Sequence, residues 1–184
     1  MARVLLIVGS MRKDSFNRQM AGEIEKLLGD RAEVSYLDFS DMPYMNQDIE
    51  YPAPEAVARV RAEVQEADGI WICSPEYNSN IPGVLKNLLD WLSRPLSPGD
   101  FAGPTAAAGK TVTISGAAGK SGASGVRASL AKLLEMMRMN LIGGEGTGIA
   151  LGFEAFMTGK YEFTEEDIAK LGKQADEFIA ALGK

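Results

Sequence analysis

Histidine is absent from the 184-residue chain, and cysteine occurs once, as Cys73. Without imidazole, Ser-His-Asp and Cys-His catalysis, His-ligated zinc and acid–base work by a group titrating near neutrality are excluded. A single thiol makes no intramolecular disulfide and no cysteine metal cage, so no metal site is expected. An excess of cations is also missing: 19 Lys and Arg stand against 25 Asp and Glu, a formal charge of −6. Nucleic-acid binding, which needs clustered cations to displace counterions from phosphates, is therefore not expected. Long apolar runs are lacking too. The longest, such as Val4–Val8, are strand-sized, so no membrane-spanning segment is expected. Met1–Val8 has neither the length nor the cleavage site of a signal peptide, which points to the cytoplasm. What is present is an ordinary globular balance, 46% apolar and 24% charged, in a length that suits one domain over residues 1–184.

Val4–Val8 is a β-branched run that stops at Gly9, the pattern of a strand buried on both faces. Phe16, Met20, Ile24, Leu27 and Leu28 then recur at helical spacing before Gly29. A second strand is expected over Glu33–Asp38, a polar loop over 40–54, a helix over Glu55–Glu66 and a third strand over Gly69–Cys73. Asn80 followed by Pro82 predicts an N-cap and first turn for a helix carrying Val84, Leu85, Leu88, Leu89 and Leu92 and ending at Arg94-Pro95. Pro95–Gly109 is long for a connection and reads as a lid, an interface or a mobile loop. Lys110–Ser115 is a fourth strand, Ser124–Arg138 a helix and Asn140–Leu151 a glycine-punctuated fifth strand. Thr164–Leu182 is a capped amphipathic helix with Ile168, Leu171, Ala175, Phe178, Ile179 and Leu182 on one face. This alternation predicts an α/β three-layer sandwich: a five-stranded parallel sheet of order 2-1-3-4-5 with helices on both faces. Ligands of such sheets bind beyond the carboxyl ends of the strands, where the first and third part.

Three loops reach that edge. Gly9–Asn17 runs into a helix N-terminus, whose unpaired amides suit a phosphate; Ser10, Ser15 and Asn17 add neutral donors and Arg12 a forked cation. The plain alternative is a capping Ser15 or Asp14 and a solvated Arg12. The pattern is not G-x-G-x-x-G, so the dinucleotide fingerprint is absent. Ser74–Asn80 offers Pro75, Tyr77 and Asn78 as a platform for a flat heterocycle; a turn leading to an N-cap accounts for Asn80 and Pro82 but leaves Glu76-Tyr77 unexplained. Ser115–Gly125 is small enough for backbone amides to approach a ligand, or is simply flexible. It is no Walker A loop, because Ile114 occupies the first glycine position, and Gly109-Lys110-Thr111 fails likewise at Pro104.

Together these segments resemble the NAD(P)H-dependent FMN reductase family, and within it the soluble bacterial quinone, chromate and ferric reductases. The likeness rests on Gly9-Ser10-x-Arg12-x-x-Ser15-x-Asn17, on Pro75-Glu76-Tyr77-Asn78, and on Pro82-Gly83-Val84-Leu85-Lys86-Asn87 through Asp90-Trp91-Leu92-Ser93-Arg94-Pro95. It implies a single flavodoxin-like domain with FMN as cofactor and NADH or NADPH as electron donor. The FMN phosphate is expected against Ser10, Arg12, Ser15 and Asn17, with Phe16 in the same segment. The ring is expected between Pro75, Glu76, Tyr77 and Asn78 on one side and Ser115, Gly116 and Gly119 on the other. Hydride would pass from nicotinamide through flavin N5 to quinones, chromate, ferric chelates or azo compounds in a ping-pong cycle. Family members are dimers or tetramers with flavin sites near the subunit boundary. Arg94 is expected to attract a donor phosphate or anionic acceptor, or else to terminate its helix as a dipole-satisfying cation. Glu76 is expected at the flavin edge or as a holder of its loop. A flavodoxin-type electron carrier, lacking here its Thr/Ser-rich phosphate loop, and an FMN-binding structural or regulatory protein are the rival readings. The sequence departs from the family in a longer 95–109 segment and a smaller, glycine-rich loop after the fourth strand.

Overall fold

In a computed structural model describing residues 1–183, the N-terminal apolar run forms strand β1 (Ala2–Val8). Val4, Leu6 and Val8 pack into one hydrophobic cluster, and Leu5 and Ile7 into a second on the opposite face of the sheet. A strand covered on both sides has no polar face, so its sequence does not alternate. Helix α1 (Phe16–Leu28) is capped by Ser15, whose Oγ accepts from the Arg18 amide at 3.1 Å, and closes at Gly29 with φ +51°. Strands β2 (Ala32–Tyr36) and β3 (Gly69–Cys73) flank β1, joined by α2 (Glu55–Glu66). Then come α3 (Gly83–Leu92), β4 (Thr111–Ala118), α4 (Ser124–Met136), β5 (Asn140–Leu141), β6 (Thr147–Ala150), α5 (Phe153–Thr158) and α6 (Glu165–Ala181).

The sheet is parallel with order β2-β1-β3-β4-β5, the expected flavodoxin-like order, and β6 also pairs with β4. Val60 and Val64 of α2, Leu85 and Leu88 of α3, and Val126 and Leu130 of α4 cover one face. Met20 and Ile24 of α1 with Leu171 and Phe178 of α6 cover the other, where Phe178 meets Trp71 edge-on at 5.4 Å. Segment 95–105 closes on itself, with Pro95 bridging Thr105 and the Leu96 amide donating to the Pro104 carbonyl at 3.0 Å. Among the described residues no helix is long and apolar enough to cross a membrane.

Four elements differ from expectation. The fifth strand is split: β5 pairs with Thr111 and Val112, β6 with Ser115–Ala118, and between them Gly143, Gly144 and Gly146 take positive φ. A Cβ at Gly146 would collide with the Ile114 carbonyl, so this turn crosses β4 too closely for a side chain. Gln174 of α6 holds the crossing. Its Nε2 donates to Thr113 Oγ1 (2.8 Å) and the Ile114 carbonyl (2.7 Å), and its Oε1 accepts from Ser115 Oγ (3.0 Å) and the Thr147 amide (3.1 Å). Helix α3 starts at Gly83 rather than at an Asn80 cap, because Ile81 precedes a proline and Pro82 itself is extended, with ψ 140°. Asn80 instead closes a turn with Tyr77. Strand β4 continues past Ser115 to Ala118, since β6 covers its edge. Helix α5 was not expected at all.

Candidate functional site

The chain leaves β1 and β3 toward opposite neighbours at their carboxyl ends, and a cleft of about 440 Å³ opens there, a size suited to a small-molecule ligand. Ser10 and Arg12 line it from the loop after β1, and Ser15, Phe16 and Asn17 from the start of α1. Pro75, Glu76 and Tyr77 come from the loop after β3, and Ala117, Ala118 and Gly119 from the end of β4. Leu151, Phe156 and Gly159 complete the wall.

Hydrogen-bond donors gather where the cleft meets the start of α1. Ser10 and Ser15 are buried, and each hydroxyl accepts one backbone bond, from Arg12 (3.3 Å) and Arg18 (3.1 Å), keeping its proton to donate. Among the described residues nothing accepts from the amides of Phe16 and Asn17 in the first turn of α1, where the helix dipole favours negative charge. The Arg12 guanidinium lies 5.2 Å from the centre of the Phe16 ring, and among the described residues no carboxylate pairs with it. The rest of the lining is mostly apolar, contributed by Pro75, Tyr77, Ala118 and Leu151, while Phe156 lies against Phe16 on the Arg12 side. The donor set fits a ligand that ends in a phosphate.

Several side chains that the sequence nominates are engaged with the chain itself. Asn17 is buried with its Nδ2 donating to the Ala117 carbonyl and its Oδ1 accepting from the Ala117 amide, both at 2.9 Å. It therefore pins the end of β4 to α1. Glu76 accepts from Ser121 Oγ and from the Val126 amide, each at 3.0 Å. Val126 is the third residue of α4, whose N-cap Ala123 has no capping side chain, so Glu76 caps that helix from the neighbouring loop after β3.

Ser115 and Gly116 are not at the cleft, contrary to expectation. Ser115 lies within β4, fully buried, accepting from Trp71 Nε1 at 3.0 Å and donating to Gln174. Gly116 is packed so that a Cβ would meet that of Ala123 at 2.6 Å and the Ser74 carbonyl at 2.9 Å. Because β4 is longer than its sequence suggests, the cleft is met by Ala117, Ala118 and Gly119. Asn78 stands beside the cleft in an exposed two-residue turn, where φ is +52° at Asn78 and +58° at Ser79, the left-handed pair of a type I′ hairpin turn. Arg94 is also absent from the cleft lining. It lies two residues beyond the C-terminal end of α3, and its Nε and Nη2 donate to the two Glu50 oxygens at 2.8 and 3.0 Å. That bond is the main reason the Glu50 carboxyl titrates below the usual range although Glu50 is only 3% exposed. Cys73, at the end of β3, is fully buried, and burial pushes its thiol far above the ordinary value.

Leu151, Phe156 and Gly159 escaped sequence reasoning. A signal was available in Gly152 and Gly159 bracketing an apolar run, with Gly159 closing α5 at φ +72°.

The sequence profile of the family described as NADPH-dependent FMN reductase matches residues 2–152. A quinone reductase of Pseudomonas putida is 35% identical over 183 residues, covering 97% of this chain and 89% of that protein. A 2-hydroxy-1,4-benzoquinone reductase of a Burkholderia species is 38% identical over 117 residues; the match spans 63% of this chain and 64% of that protein, under two thirds of its length. Among solved structures, the FerB flavoenzyme NAD(P)H:(acceptor) oxidoreductase of Paracoccus denitrificans superposes with a TM-score of 0.85 at 29% identity, covering 100% of this chain and 98% of that one.

Proposed function

The chain belongs to the NADPH-dependent FMN reductase family, flavin-using oxidoreductases, and on that premise we propose that it is an NAD(P)H:quinone oxidoreductase holding FMN in the cleft at the carboxyl edge of its sheet. The observation that carries this reading is a cleft that joins the donor-rich N-terminus of α1 to an apolar lining. When bound, FMN supplies the chemistry, accepting a hydride from nicotinamide and returning two electrons to an acceptor.

The protein's part is to bind, orient and admit. The Ser10 and Ser15 hydroxyls and the amides of Phe16 and Asn17 receive the phosphate at the α1 N-terminus, and Arg12 adds a charge-assisted contact. Pro75, Tyr77, Gly119 and Leu151 bound the ring, and Asn17 and Glu76, which line the cleft themselves, tie its walls to β4 and α4. Glu76 is a positioning residue in this scheme rather than a proton donor, and Arg94 has no part in the cleft. The names of the similar proteins support quinones as acceptors. An open cleft also admits chromate, ferric chelates and azo compounds, and one cleft serving donor and acceptor in turn gives ping-pong kinetics. The remaining terms of the proposal are a homodimer or tetramer working in the cytoplasm.

The test is to load the purified protein with FMN and follow NADH or NADPH oxidation with benzoquinone and no partner protein. Sustained turnover with parallel double-reciprocal lines is expected. Electron transfer only after addition of a partner reductase would identify a carrier, and FMN that binds but is reduced slowly would identify a structural or regulatory protein.

A further inference from the structure

We propose that Phe156 is a positioning residue that sets Arg12 for an anionic ligand, acting through the ring of Phe16; this rests on the cleft being the FMN site. Helix α5 is six residues long and buries one side chain, Ala155. It is held to α1 by Gln19, whose Nε2 donates to the Gly159 carbonyl at 2.9 Å and whose Oε1 accepts from the Tyr161 amide at 3.1 Å. That tie places Phe156 against Phe16, with ring centres 5.5 Å apart and planes at 79°. This edge-to-face arrangement leaves a face of the Phe16 ring to carry the Arg12 guanidinium at 5.2 Å.

The sequence of contacts is thus Phe156 to Phe16 to Arg12. Each link constrains the next. Arg12 is exposed, and among the described residues no carboxylate pairs with it, so the aromatic face is what narrows the rotamers of a long side chain. Phe16 is only half-buried, and without Phe156 its ring gains freedom and the guanidinium loses its platform. Phe156 is 55% exposed, so its removal takes little from the core. Its contribution lies in the geometry of the charge at the cleft mouth.

The experiment compares two probes that differ in one group. FMN carries the phosphate that Arg12 would contact, and riboflavin does not. Phe156→Ala should raise the dissociation constant of the apoprotein for FMN about threefold to tenfold and leave that for riboflavin unchanged. In an Arg12→Ala background the same substitution should add nothing, and Phe156→Tyr, which keeps the ring edge, should restore FMN affinity. Phe156→Leu keeps apolar bulk without a ring and covers the case in which alanine unfolds α5. Equal loss for both probes would overturn the proposal by making Phe156 a direct ring contact, and no loss for either would overturn it outright. A wild-type apoprotein that binds riboflavin and FMN equally, or neither, would overturn the reading of the cleft itself, a result distinct from a wild type that prefers FMN and a variant that matches it.

Discussion

Arg94, two residues beyond α3, grips the Glu50 carboxylate with its guanidinium fork at 2.8 and 3.0 Å, whereas Arg12 extends over Phe16, and among the described residues no carboxylate pairs with it. The side chains are 25% and 4% exposed in the first pair, while Arg12 is open to solvent at a cleft. In sequence the two look alike, each an arginine at the end of a helical or loop motif beside polar residues. The fold separates them by what they already hold. A guanidinium filled by a buried carboxylate has spent its fork geometry inside the chain, and one left without a partner at a cleft is available to a ligand. Asn17 and Glu76 extend the first class, since both line the cleft yet satisfy their acceptors within the chain.

The largest effect expected from this contrast is on Arg94. Arg94→Ala strands the Glu50 carboxylate in the interior and should cost the apoprotein about 2–3 kcal/mol at pH 7, at or below the range for fully buried pairs because water reaches Arg94. FMN affinity and the Michaelis constants for NADH and NADPH should not change. The Glu50 carboxyl is depressed in the folded state by the Arg94 hydrogen bond, so this stabilisation is present above the ordinary carboxylate range and is lost as pH falls through the folded value. Urea unfolding of wild type and variant should therefore converge in acid. A raised donor Michaelis constant with unchanged stability would return Arg94 to the ligand side. Next in size is Asn17→Ala, which leaves the Ala117 amide and carbonyl unpaired at the end of β4 and should cost about 2 kcal/mol. Accelerated hydrogen exchange at the Ala117 amide would locate the loss there, and an unchanged urea midpoint would show that Asn17 is a ligand donor rather than a pin.

Arg12→Ala should behave in the opposite way. Its contact is charge-assisted but exposed, so FMN retention should weaken by about 1–2 kcal/mol, read as the dissociation constant by flavin fluorescence. The apoprotein should unfold at the wild-type urea concentration, since no core contact is removed. Loss of stability without loss of FMN would place Arg12 in the same class as Arg94.

The same distinction marks where the sequence was legible. The doubly buried strands and the capped amphipathic helix that begins at Thr164 are local patterns whose causes lie within a few residues, and they stand where their spacing put them; of the two caps open for α1, Ser15 or Asp14, the structure uses Ser15. Strand β4 outran its pattern because Gly116-Ala117-Ala118 has little strand propensity and is held by β6, a partner about thirty residues away. The split between β5 and β6 depends on the close crossing at Gly146, and glycine alone does not say which way a turn passes. Helix α5 is too short to show a helical period. At the cleft, the residue types that suit a phosphate were visible at Ser10, Arg12 and Ser15. That Asn17 and Glu76 are already paired, and that Arg94 has Glu50, are facts about separations of 44 to 100 residues in the chain. No spacing rule reaches that far.

The smallest effect separates a proton-transfer role for Glu76 from a holding one. Its two oxygens accept from Ser121 Oγ and from the Val126 amide, and the second bond caps α4 from outside the helix. Glu76→Gln retains both connections: the amide carbonyl accepts from Val126, and the amide nitrogen donates to Ser121 Oγ, which can turn to accept. What is lost is the negative charge at the α4 N-terminus, about 0.5 kcal/mol for a partly exposed side chain. Turnover with NADH and benzoquinone, and its pH profile, should match wild type. Glu76→Ala removes both bonds, so the loop after β3 should come loose from α4, and FMN affinity should fall with little change in the limiting rate of the loaded protein. A tenfold fall in the limiting rate of Glu76→Gln at full FMN occupancy, with the acidic limb of the pH profile abolished, would make Glu76 an acid in the reaction and move it from the engaged class to the available one.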